Sequence, residues 1–139
     1  MKTNQALNEA QKHAMAIYCA ALLRDFCAQT HGVESATFAT FDGVTVASTI
    51  DGKNEGDKMS AMSSSISALA AALTREVRHA EPDRVLLESG DGRIVFIKIP
   101  AAGIVFAAVT DQHTVLGTLL WSCRNTTEKL AGYVARLAA

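Results

Sequence analysis

Apolar residues recur at spacings of three and four along residues 5–30, where Met15, Cys19, Leu22 and Phe26 fall on one side of a 3.6-residue turn. This predicts a first helix over 5–30, with Gly32 as a natural stop. Residues 33–40 and 44–50 are β-rich on either side of an Asp42-Gly43 turn, and read as a hairpin. Residues 51–57, with Gly52, Asn54 and Gly56, read as a loop. A second helix is expected from about Asp57, a residue able to cap it, to about Ala80, with Pro82 marking its end. Residues 84–89 and 93–99 flank Gly90-Asp91-Gly92 as a second hairpin, and a turn at 100–103 leads into a strand over 104–110. That strand begins Ile104-Val105-Phe106-Ala107-Ala108-Val109, apolar on both faces, which predicts a central place in a sheet covered above and below. A last helix is expected over 115–137, weakened in its middle by Asn125, Thr126 and Thr127.

The order is αββαβββα. Hairpin connections are short, so the five strands are expected to form one mostly antiparallel sheet with the helices on its faces, an α/β chain of the α+β sandwich kind. A chain of 139 residues is the size of one domain, and 1–139 is taken as a single unit around one core.

The second helix carries two rows. Met59, Met62, Ile66, Leu69, Leu73 and Val77 share one face, which is assigned to the sheet. Ser60, Ser64, Ser67, Ala71 and Thr74 form another row, centred about 150° away at 100° per residue. Solvated helix faces usually carry Glu, Lys, Arg or Gln, yet none stands between Lys58 and Arg75. Small side chains allow a second backbone close approach, so this row, with Ala70, is expected to meet the same helix of a second copy. Val85-Leu86-Leu87-Glu88 contains no Pro or Lys to guard a strand edge, and is expected to complete an isologous two-fold interface. On this reading Ala71→Arg yields monomers, and Leu69→Ala costs about 2–5 kcal/mol as a core truncation.

Composition narrows the classes. With 49% apolar and 19% charged residues the chain is not of the disordered type. A net charge of -1, a pI near 6.4 and no local Lys/Arg cluster leave no footprint for nucleic acid. The longest apolar run, 14–23, is too short to enter and cross a bilayer, and the N-terminus lacks the order of a signal peptide, so the cytosol is the expected location. Cys19, Cys27 and Cys123 are odd in number and without CxxC spacing, which points to reduced, packing thiols.

Gly52-Lys53 and Gly56-Asp57-Lys58 do not fit a phosphate-binding loop, so the chain is not expected to bind GTP itself. Asp51, Lys53 and Glu55 fail as a calcium loop, whose last ligand would be Met62. His13, His31, His79 and His113 have no metal-binding spacing, and no serine sits in a GxSxG elbow. The expectation is no catalytic residue, no metal, no cofactor and no enzyme.

The element order, the Asp42-Gly43 hairpin, the small-residue second helix, and Val109-Thr110-Asp111 leading through Leu116-Gly117-Thr118-Leu119-Leu120 into the last helix together resemble the Roadblock/dynein light chain family. The likeness covers about 33–137, and the first helix is longer than the family minimum. The resemblance implies a profilin-like or longin-like sandwich, with the second helix on one sheet face and the terminal helices on the other. It also implies homodimers through the second helix and third strand. The implied partner is a small Ras-like GTPase, whose hydrolysis some members stimulate, while eukaryotic relatives scaffold motor or signalling complexes. An arginine acting on a bound GTPase would come from Arg75, Arg78, Arg84 or Arg93, although solvated surface arginines are the plainer account. The rival reading is a small-molecule sensor of PAS-like or GAF-like type, which needs a cavity inside the sheet and converging polar groups.

Overall fold

The computed structural model describes residues 7–139. Its elements are α1 (Glu9–Gln29), β1 (Val33–Thr40), β2 (Thr45–Ser48), α2 (Lys53–Glu76), β3 (Val85–Ser89), β4 (Gly92–Ile99), β5 (Ile104–Asp111) and α3 (Leu116–Ala138). The strands form one antiparallel sheet in the order β2-β1-β5-β4-β3, with β5 central as its doubly apolar sequence requires.

Local chemistry sets the boundaries. Asn8 opens α1 through a capping box: its side chain accepts from the Gln11 amide at 2.8 Å, and the Gln11 side chain accepts from the Asn8 amide at 3.0 Å. The described helix therefore begins at Glu9, capped by Asn8. Positions 5 and 6 lie outside the described residues. α2 starts four residues before its expected cap, at Lys53, and Asp57 is a residue of its first turns, ion-paired with Lys53 at 2.8 Å. It ends earlier too, at Glu76, after which Arg78 takes a left-handed φ of 62°. α3 runs through Asn125, Thr126 and Thr127 unbroken, because Thr127 Oγ1 donates back to the Arg124 carbonyl at 3.1 Å and both threonines are buried. Two glycines are obligatory. Gly32 (φ +89°) passes under Thr114 and Asp111, and Gly92 (φ +152°) lies against the Thr110 carbonyl, where a Cβ would collide with backbone.

α1 and α3 pack on one face of the sheet. Cys19, Leu22, Leu23 and Phe26 of α1 join Leu119, Cys123, Leu130 and Val134 of α3 over Phe38, Val95, Ile104 and Phe106. Phe26 meets Phe106 edge-on at 5.1 Å, Phe38 lies 5.0 Å from Phe106, and Tyr18 stacks on Tyr133 at 4.0 Å, tying the helices together. α2 covers the opposite face, above Thr37, Ala39 and Ala107, as the resemblance implied.

Candidate partner-binding surface

The facing of α2 is largely the reverse of the expectation. Ser60, Ser63, Ser67 and Ala71 are its buried residues, along with Gly56, whereas of the row assigned to the sheet Met62, Leu69, Leu73 and Val77 stand 57–60% exposed and Met59 and Ile66 are half-buried. The physical reason lies in the strands beneath. Under the first half of α2 the side chains of β1 and β2 are small or hydroxylated, Thr37, Ala39, Thr45 and Ser48 among them, and a small helix face lets the helix approach them closely. Thr45 Oγ1 bonds Asp57 Oδ1 at 2.7 Å and the Ser60 hydroxyl at 2.6 Å, Thr37 and Ser48 hydroxyls meet at 3.0 Å, and Gly56 sits over Ser48. Thr45 and Lys53 together hold the Asp57 carboxyl below the usual carboxylate range, the lysine bond being the larger cause.

The residues expected to meet a second copy therefore divide. Ser60, Ser67 and Ala71 are covered by their own sheet, so Ala71→Arg would wedge apart helix and sheet rather than two subunits. Ser64 is half-buried and donates to the Phe41 carbonyl; Thr74, also half-buried, donates to the Ala71 carbonyl at 2.9 Å; Ala70 is half-buried. On the strand side, Val85 and Leu86 are half-buried, while Leu87 and Glu88 are exposed on β3, an edge of the sheet.

What the sequence reading missed is the surface that the inverted helix creates. Register places Leu87 beside Ile94 and Ile94 beside Val109, a row on the same sheet face as α2. Leu87 is 43% exposed, and Ile94 and Val109 are only half-buried, so α2 roofs part of this face and leaves the β3 side open. The open row and the exposed flank of α2 are both apolar. The signal for this was present in β1 and β2: Thr37, Thr45 and Ser48 are polar on a face that must be covered, which calls for a hydroxyl-bearing helix face above them.

The arginines differ in freedom. Arg93 is committed, donating to Glu88 at 3.0 Å and to the Thr114 carbonyl at 2.8 Å, and Arg75 pairs with Glu81 at 3.7 Å. Arg78 and Arg84 are exposed. Among the described residues no group of three His, Cys, Asp or Glu side chains is placed to hold a metal ion. A groove of about 700 Å³ opens between α1 and the turns that follow β1 and β4, lined by Met15, Phe41, Val44 and Pro100 among others.

No family model matches the chain, and no curated protein matches it. Solved structures do. A Roadblock/LC7 domain from Streptomyces avermitilis superposes with a TM-score of 0.77 at 14% identity, over 84% of this chain and 97% of that one. This chain has the Roadblock/LC7 fold. Myxococcus xanthus MglB shares it with a TM-score of 0.76 at 14% identity, covering 95% of this chain and 96% of the other. The gliding protein MglB from Thermus thermophilus gives 0.73 at 16% identity over 97% and 96%. With 95% and 97% of this chain covered, the likeness to these two includes most of the long first helix.

Proposed function

We propose that two copies of this chain pair through α2 and β3, and that the pair is a non-enzymatic adaptor or regulator of a small Ras-like GTPase in the cytosol. The observation that carries the pairing is the exposed flank of α2. Met62, Leu69, Leu73 and Val77 are 57–60% exposed in the single subunit, and full burial of such a side chain contributes about 1.5–3 kcal/mol. A two-fold axis beside α2 covers that flank with its own copy, sets β3 edge against β3 edge, and roofs the Leu87–Ile94–Val109 row. The interface is thus moved from the small row, where the sequence reading placed it, to the apolar row, while the strand component stays at 85–88.

The regulatory role is supported by the Roadblock/LC7 fold, held in common with the MglB structures, and by the family resemblance of the sequence. Buried thiols agree with a non-catalytic reading: burial pushes Cys19 and Cys123 up to about 12, where a thiolate nucleophile is not formed at neutral pH. Among the described residues, no helix is long and apolar enough to cross a membrane.

Analytical ultracentrifugation at micromolar concentration tests the pairing. The expected result is a dimer for the native chain and a folded monomer for Leu69→Arg; a native monomer refutes the pairing, and an undiminished dimer in the variant refutes its placement. GTP hydrolysis by Ras-like GTPases of the source cell, measured with and without each protein, tests the role. The native chain is expected to change turnover or nucleotide-state-dependent capture, and Leu69→Arg to lose the effect.

A further inference from the structure

The edge strand β3 and the residue before it are self-complementary in charge. β3 and β4 are joined by the two-residue turn Gly90-Asp91, so Ser89 and Gly92 form a hydrogen-bonded pair. Such pairs alternate along an antiparallel ladder. Val85, Leu87 and Ser89 therefore spend their N–H and C=O groups on β4, while Arg84, Leu86 and Glu88 direct theirs outward, where no strand lies. The same alternation puts Arg84, Leu86 and Glu88 on one face of the sheet, the face on which Leu86 packs against the α1–α3 core. Arg84 is exposed and joins no ion pair among the described residues. Glu88 is exposed too, and Arg93 bonds only its Oε2, at 3.0 Å. A cation and an anion thus stand at equal distances on either side of Leu86.

Resting on the pairing proposed above, we infer that β3 meets β3 of the second copy antiparallel and centred on Leu86, so that Arg84 of each copy faces Glu88 of the other. This register puts every outward residue in a hydrogen-bonded pair, Leu86 with Leu86 on the axis and Arg84 with Glu88 on either side. It also brings Val85 of one copy beside Leu87 of the other on the α2 face, where Leu87 is 43% exposed in the single subunit. Other registers lose bonds or charge pairing. An axis at Val85 sets Glu88 opposite Pro82, which has no N–H, and an axis at Glu88 sets two carboxylates opposite each other. An axis at Leu87 leaves Arg84 opposite Gly90, past the end of the strand. An axis between two residues opposes outward-bonding groups to inward-bonding ones and forms no ladder. Arg84 and Glu88 are thereby residues of partner choice, which favour a second copy of this chain over a chain of the same fold lacking either charge.

Charge exchange tests the register. Arg84→Glu and Glu88→Arg each oppose like charges twice in their own homodimers, and each is expected to pair about tenfold or more weakly than the native chain. Mixed in equal amounts, each supplies the charge the other lacks. Native mass spectrometry of the mixture is expected to show heterodimer in excess, the constant for exchange between homodimers and heterodimer rising at least about tenfold above its statistical value. The double variant, carrying both substitutions, is expected to regain the homodimer. Glu88→Arg also loses the bond to Arg93, so Arg84→Glu alone provides a second readout: its deficit against the native dimer is expected to shrink in 1 M salt, where repulsion between exposed charges is screened. A native dimer whose variants mix statistically, or a deficit that salt leaves unchanged, overturns the register and leaves the pairing standing. A monomeric native chain overturns the pairing, and the register with it.

Discussion

The three cysteines differ by position along their helices, and so in reactivity. Cys19 and Cys123 are wholly buried in the core between α1, α3 and the sheet. Cys27 follows the buried Phe26 and is only half-buried at the margin of the core, its thiol also raised by burial, with a hydrogen bond from Thr49 opposing the shift. A thiol-specific chromophore at pH 8 is accordingly expected to label one cysteine per chain in the native state, slowly, and three in denaturant. Fast labelling of two or more native thiols would show that the α1–α3 layer opens readily. The sequence made the packing role of these residues legible, because a Cys at i, i+3, i+4 spacing among Leu and Phe belongs to a core stripe. It did not rank the three, since the difference depends on where the sheet ends beneath each helix. Gly32 was legible only as a helix stop; the crowding by Thr114 and Asp111 that makes it obligatory comes from residues about 80 positions away.

At the level of elements, strand identity and order followed from alternation, turn residues and one doubly apolar segment. Boundaries moved where a side chain bond outweighed the pattern, as at Asn8 and Asp57. α2 is where the reading inverted. An amphipathic helix is ordinarily oriented by sending its large apolar row to the sheet, and that rule assumes that the sheet face is apolar and that the helix meets nothing else. Here Thr45 bonds Ser60 of the small row, Thr37 and Ser48 bond each other beneath the helix, and Met62, Leu69 and Leu73 of the large row are left outward. The inversion changes the expected cost of substitution. Leu69 is 59% exposed, so Leu69→Ala should cost under about 1 kcal/mol of subunit stability, not the 2–5 expected of a core leucine, whereas Phe106→Ala, fully buried against Phe26 and Phe38, should cost about 3–5 kcal/mol. Urea unfolding of both variants on a Leu73→Arg background, where the proposed pairing is removed through the same exposed flank, isolates the subunit term. A cost at Leu69 comparable to that at Phe106 would return the large row to the sheet.

For the whole molecule, the proposed pairing over the outward apolar flank would link folding to association. A subunit whose α2 flank and Leu87–Ile94–Val109 row are covered only by a second copy gains stability by mass action, so its melting temperature must rise with protein concentration. The dependence is logarithmic: each tenfold increase in total chain adds about 1.4 kcal/mol per mole of dimer to the free energy of unfolding. Divided between two 139-residue chains and set against the unfolding entropy typical of this size, that is a shift of a few degrees per decade. Calorimetry or circular dichroism from 1 to 100 µM is expected to show this rise for the native chain and a flat line for Leu69→Arg. The two curves should meet at the dilute end, where the native protein too is a single subunit. A native curve as flat as the variant's would mean that the flank is tolerated in water by a single subunit, and the proposed pairing would fall.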